Sequence, residues 1–133
     1  MNHPRIIVAD DSPLVRTMLQ ELLNRDYAIV ARVADGQAAV EAAQRPSPEL
    51  VLLDISMPIL SGFEAARQIK RLCPSMLLLF VSEHRERAYA DGAFEAGGAG
   101  FVLKSKIVSE LVPAIREVLA GRDYGRPPAQ GQT

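Results

Sequence analysis

The chain has 133 residues, 48% apolar and 23% charged, with a formal net charge of -1, which suits one hydrophobic core and leaves no room for a second full domain. No apolar run approaches the ~20 residues needed to cross a bilayer, and the scattered Lys and Arg of a near-neutral chain create no field that would gather nucleic acid. One cysteine, Cys73, and two distant histidines exclude an internal disulfide and a Cys/His metal site.

The opening MNHPRIIVAD enters an apolar run without the basic segment, long apolar stretch and cleavage site of a secretory signal, so the expectation is a cytoplasmic protein in a reducing compartment. Residues 5–9 form the first strand-like run. A helix follows: Ser12 suits its N-cap, Pro13 its first turn, and Leu14, Val15, Met18, Leu19, Leu22 and Leu23 share one face. A second run, 28–33, precedes a helical segment at 36–44 that Pro46 and Pro48 end. The third run, 50–53, precedes a helix at 62–72 closed by Pro74, and the fourth, 77–81, precedes one at 86–96 closed by Gly97 and Gly98. The fifth run, 100–103, leads to a last helix at 108–119, followed by Gly121. Pro113 would delete a backbone bond there, so the last helix is expected to begin effectively near Ser109. Five runs alternating with five helices imply a parallel sheet covered on both faces. The domain is expected to span 1–121. Residues 122–133, rich in Gly, Pro and Gln, read as a mostly flexible tail or truncated linker with Tyr124 as its anchor.

Functional residues of an open parallel sheet gather at the carboxyl ends of its strands. Asp10 and Asp11 follow the first run, Asp54 the third, Ser82 the fourth and Lys104 the fifth, so all five fall on one edge. Three carboxylates crowded together become tolerable around a divalent cation, and hard oxygen donors in a small, partly open site suit Mg²⁺. One carboxylate can then act as nucleophile toward phosphorus while metal, lysine and hydroxyl neutralise the transferred group. Asp54, central among the others, is the candidate.

The pair Asp10-Asp11, the stretch Asp54-Ile55-Ser56-Met57-Pro58 with Gly62, Ser82, and Phe101-Val102-Leu103-Lys104 resemble the receiver domain of response regulators, over residues 5–121. The resemblance implies a CheY-like, flavodoxin-like sheet of five parallel strands in the order 2-1-3-4-5 with five helices. It implies a switch rather than a turnover enzyme. Asp54 would be the phospho-acceptor; Asp11, Asp54 and the backbone carbonyl of Ser56 would bind Mg²⁺ directly, and Asp10 through metal-bound water. Lys104 would pair with the phosphoryl group, Ser82 would hydrogen-bond it, and Phe101 would turn inward as Ser82 moves. The altered surface of the fourth helix, fifth strand and fifth helix would be read by an output domain or partner. The donor would be a sensor histidine kinase or a phosphotransfer protein, or a small acyl phosphate, with the domain hydrolysing its own aspartyl phosphate. Homodimerisation on phosphorylation is a further implied property.

Ser82-Glu83-His84, the stretch from Ala96 to Lys104, and Ala114-Ile115-Arg116 are similar to receivers preceding a LuxR-type DNA-binding domain (the NarL/LuxR type), which leaves open an excised receiver or a stand-alone regulator. Direct nucleic-acid or membrane binding by this chain is not expected. Three positions depart from the common pattern. Ser105 replaces the usual proline, which makes a cis peptide less expected. Glu83 stands where a small residue is usual and would screen the site, and Phe101 lacks a phenolic hydroxyl.

Each feature alone has a blander meaning. Asp10-Asp11 suits a helix start; Asp54 suits a turn, Ser82 a loop and Lys104 a solvated surface. Four such accidents at four matching strand ends are improbable. Met57-Pro58 shapes a loop, Gly62 permits a tight turn or helix start, Cys73 reads as a packed thiol and His84 as a surface residue. A haloacid-dehalogenase-type phosphatase would need an acid at position 56, where Ser stands. A degenerate receiver would have lost a carboxylate or the lysine, and a nucleotide-binding flavodoxin-like protein would carry a Gly-rich loop after the first strand.

Overall fold

The computed structural model describes residues 3–46 and 48–129. The five apolar runs become strands because they are too short for stable helices and sheathed on both faces, so neighbouring strands must satisfy their backbone groups. They are β1 (Arg5–Ala9), β2 (Ala28–Val33), β3 (Leu50–Leu53), β4 (Leu77–Ser82) and β5 (Gly100–Leu103). Between and after them lie α1 (Pro13–Leu23), α2 (Gly36–Ala43), α3 (Gly62–Leu72), α4 (Arg87–Glu95) and α5 (Ile107–Leu119). All strand pairs are parallel, in the order β2-β1-β3-β4-β5. This is the doubly wound arrangement that the resemblance implied.

Alternation along the strands divides the core in two. Ile6, Val8, Leu50, Leu52, Leu79 and Val81 pack with Leu19 and Leu23 of α1 and Leu111, Ile115 and Val118 of α5. Their neighbours Ile7, Val51, Leu53, Leu78, Phe80 and Phe101 pack with Ala39 and Val40 of α2, Ala65 and Ile69 of α3, and Ala93 of α4. Helices α1 and α5 therefore cover one face and α2 to α4 the other. The sense in which successive strands are added to the sheet reverses between β1 and β3, where such folds open a crevice. Among the described residues no helix is long and apolar enough to cross a membrane.

Local chemistry sets the helix starts. Ser12 accepts from the Val15 N–H at 3.2 Å, Asp35 from Ala38 at 2.7 Å and Ser61 from Glu64 at 3.2 Å, each side chain satisfying a donor that the first turn leaves open. The last helix departs from expectation: it begins at Ile107, not near Ser109, after a short 3₁₀ turn over Lys104–Lys106, and carries Pro113 inside it. Pro113 and Ser109 both lie on the exposed side, where water can serve the carbonyl that loses its donor. Burial of Leu111, Ala114, Ile115 and Val118 against the sheet offsets the local penalty of about 3 kcal/mol.

Beyond α5 the chain turns at Gly121 (φ 86) and returns to the sheet. Tyr124 forms a parallel bridge with Gly100 on the outer edge of β5. The expected flexible tail includes residues 130–133, which lie outside the described residues.

Candidate functional site

The ladder continues one residue past the paired ends of β1 and β3. Ala9 pairs with Leu53, the Asp54 N–H donates to the Ala9 carbonyl at 2.9 Å, and the Asp10 N–H donates to Val33 at 3.1 Å. Asp10 and Asp54 are thereby held side by side at the crevice. Carboxylate oxygens of Asp10, Asp11 and Asp54 lie within 4.8 Å of one another. Lys104, just past β5, points back over them, with Nζ 2.8 Å from Asp10 Oδ2 and 3.5 Å from Asp54 Oδ1.

The three carboxylates differ in what they have left to offer. Asp10 is 1% exposed, and both its oxygens are engaged: Oδ1 accepts the Ser12 N–H at 2.9 Å and Oδ2 holds Lys104. Arg16 of α1 also donates to the Asp10 carbonyl at 2.7 Å. Asp11 is exposed. Asp54 is 4% exposed, and its Oδ1 accepts the Ile55 N–H at 2.9 Å and faces Lys104. No donor among the described residues takes Asp54 Oδ2. Every fully buried side-chain nitrogen or oxygen among them does have a partner, so this oxygen keeps access to solvent.

Burial and, second to it, the Asp10 charge push Asp54 up to about 6, against the pull of Lys104 and the Ile55 N–H. Burial works against the charge on Lys104, but its hydrogen bond to Asp10 and the charges of Asp54 and Asp10 outweigh that and hold it above its ordinary value. One ammonium facing three carboxylates leaves a net negative pocket, and a cation would relieve it. The donors are all hard oxygens, so the pocket could hold a metal ion.

The loop from β3 to α3 is shaped by close approach. Gly62 donates to the Ile55 carbonyl at 2.7 Å, and a Cβ on it would fall 1.9 Å from the Asp54 carbonyl oxygen. Its φ is not positive, so absence of a side chain is what the site requires of it. The left-handed residue of this loop is Ile59, at φ 70 and 81% exposed.

Among the described residues, the hydroxyls of Ser82 and Ser56 are bonded to His84 and not to the three carboxylates. Ser82 is the last residue of β4 and fully buried, and its hydroxyl accepts the His84 N–H at 3.0 Å instead of reaching Asp54. Ser56 is exposed. Phe101 is already packed among the core residues facing α2 to α4. His84, read from sequence as a surface residue, joins two loops: its Nε2 lies 3.1 Å from Ser56 Oγ, and its ring stacks on Tyr89 at 4.0 Å and 9°. Its position two residues after Ser82 was the only signal, and nothing local reveals a contact spanning 28 residues.

Comparison with known proteins agrees with this geometry. The profile of the response regulator receiver domain matches residues 6–116. The transcriptional regulatory protein PdtaR of Mycobacterium tuberculosis is 38% identical over 114 residues, 84% of this chain and 54% of that protein. The transcriptional activator protein ExaE of Pseudomonas putida is 33% identical over 129 residues, 96% of this chain and 60% of that protein. The chain thus spans little more than half the length of these relatives. A LuxR-family two-component response regulator from Aurantimonas sp. SI85-9A1 superposes with a TM-score of 0.88 at 38% identity, covering 95% of this chain and 91% of that one. Sheet order, acidic crevice and sequence match agree, and the chain belongs to the response regulator receiver domain family of two-component signalling systems.

Proposed function

We propose that the protein is a phosphorylation-controlled switch in which Asp54 accepts a phosphoryl group from a histidine kinase or phosphotransfer protein. The observation that carries this reading is the Asp54 Oδ2: it takes no donor among the described residues, reaches solvent, and stands in a pocket with two further carboxylates and the Lys104 ammonium. That oxygen attacks phosphorus, the P–N bond of the donor phosphoimidazole breaks, and the departing imidazole keeps the electron pair and takes up a proton. Lys104 would pair with the phosphoryl oxygens, and Ser82 would turn its hydroxyl proton to one of them while still accepting from His84. Water later attacks phosphorus, and cleavage of the P–O bond restores Asp54 and releases inorganic phosphate.

Mg²⁺ fits the oxygen set and when bound supplies positive charge against the phosphoryl oxygens. Asp11 and Asp54 would hold it directly with the Ser56 backbone carbonyl. Asp10, whose oxygens are occupied by Ser12 and Lys104, would act through bound water. The state of Asp54 would reach a partner or output domain through the surface of α4, β5 and α5, where Phe101 lies. By likeness to the LuxR-family Aurantimonas regulator, the output of an excised receiver would be a LuxR-type DNA-binding domain; a homodimer on phosphorylation and a cytoplasmic setting complete the proposal.

The test is incubation with acetyl phosphate and Mg²⁺, followed by intact mass. Wild type gains one phosphoryl group, and Asp54→Asn does not. Equal gain in both would reject Asp54 as the acceptor.

A further inference from the structure

Residues 122–129 run back over the open edge of β5 and along α4. The Tyr124 N–H donates to the Ala99 carbonyl at 2.9 Å, and the Tyr124 carbonyl accepts the Phe101 N–H at 2.9 Å, so the segment pairs with β5 as a short added strand. Its flanks are tied to both neighbouring helices. The Tyr124 hydroxyl donates to Glu110 of α5 at 3.1 Å. Arg126 lies 4.3 Å over the Phe94 ring of α4 and donates to Asp123 at 2.7 Å. Arg87, at the start of α4, donates to the Pro128 carbonyl. Gly125 makes the fit possible, with φ 78 and so little clearance that a Cβ would lie 2.3 Å from the Phe101 carbonyl oxygen.

The backbone that this segment clamps leads directly to the pocket. β5 has only four residues, and Lys104, bound to Asp10 and Asp54, follows it. A phosphoryl group on Asp54 would compete with Asp10 for that ammonium. Any accompanying shift of β5 must be taken up at Phe101, where the segment leaves no slack.

We propose that residues 122–129 are a strap that holds β5 in its arrangement with unmodified Asp54, so that strap docking and phosphorylation of Asp54 oppose one another. This rests on the phosphoryl-acceptor reading of Asp54. A contact made in only one of two states stabilises that state, and the coupling is reciprocal. Phosphorylation then loosens the strap, and a loosened strap eases phosphorylation.

The test uses the full chain, with Gly125→Val as one strap-releasing variant and Tyr124→Ala/Arg126→Ala as a second; both lie outside the acidic pocket, and Gly125→Val leaves in place the Tyr124 side chain that packs against the core. Two quantities are measured: amide exchange at Phe101 and Tyr124 by NMR, and apparent affinity for beryllofluoride in Mg²⁺, a mimic of the phosphoryl group. Beryllofluoride should speed exchange at both amides in wild type. Both variants should exchange fast without it and bind it about fivefold more tightly, the low end of common coupling strengths. If wild type binds beryllofluoride with unchanged exchange and the variants bind it no better, the strap is overturned and the acceptor reading stands. If wild type binds it no better than Asp54→Asn, both fall.

Discussion

Replacing Asp54 with asparagine removes a charge from a nearly buried position and leaves the side chain almost unchanged in size. Asp54 is raised from 3.8 to about 6 in the folded chain, by burial first and the Asp10 charge second. A carboxyl whose folded pKa lies above its unfolded one costs native stability as pH climbs from near 4 to near 6, and the whole cost persists above that. A rise of about 2 units at 1.36 kcal/mol each amounts to about 3 kcal/mol. Without metal at about pH 8, Asp54→Asn should therefore be more stable than wild type by about that much, or about 10 °C in Tm for a domain of this size. Toward and below about pH 4 the gap should close, because the wild-type carboxyl becomes neutral in both folded and unfolded chains. Thermal unfolding followed by circular dichroism, with EDTA across this pH range, measures the gap. Adding Mg²⁺ should narrow it, since an ion that binds only the folded state stabilises it and the variant would lack one of the proposed ligands. A variant no more stable than wild type at about pH 8 without metal, or a gap unchanged with pH, would refute the electrostatic reasoning.

Three further outcomes are expected. Lys104→Ala removes the cation that lowers Asp54, so the Asp54 midpoint should move above about 6 in an NMR titration; an unmoved midpoint would show that the ammonium does not act on it. Gly62→Ala drives a methyl group into the Asp54 carbonyl and should cost about 3 kcal/mol in urea unfolding, with phosphoryl uptake falling alongside. His84→Ala unties Ser56 from the ring stacked on Tyr89. It should speed amide exchange at residues 82–84 while changing global stability by less than about 1 kcal/mol, and unchanged exchange there would count against a loop-joining role.

Most of the architecture could be read in advance because its causes are local. Run lengths, the helical face of Leu19 and Leu23, the Ser12 cap with Pro13 and the closing glycines each act within a few residues. The strand-end logic of a parallel sheet then placed Asp10, Asp11, Asp54 and Lys104 at one edge before any distance was known. Pro113 misled because its penalty is local, whereas the burial that carries α5 through it comes from the sheet. Gly62 had suggested a turn or a helix start, yet what excludes a side chain is the Asp54 carbonyl eight positions earlier.

The order of residues by itself determined which elements form, how they alternate and which side chains share an edge, since propensity, capping and periodicity are short-range. Tertiary structure decided which carboxylate is used up by its neighbours and which oxygen stays open. It also decided that His84 reaches Ser56 and that residues 122–129 close the edge of β5. Those features depend on desolvation and on contacts between distant parts of the chain, which exist only once the sheet has brought them together.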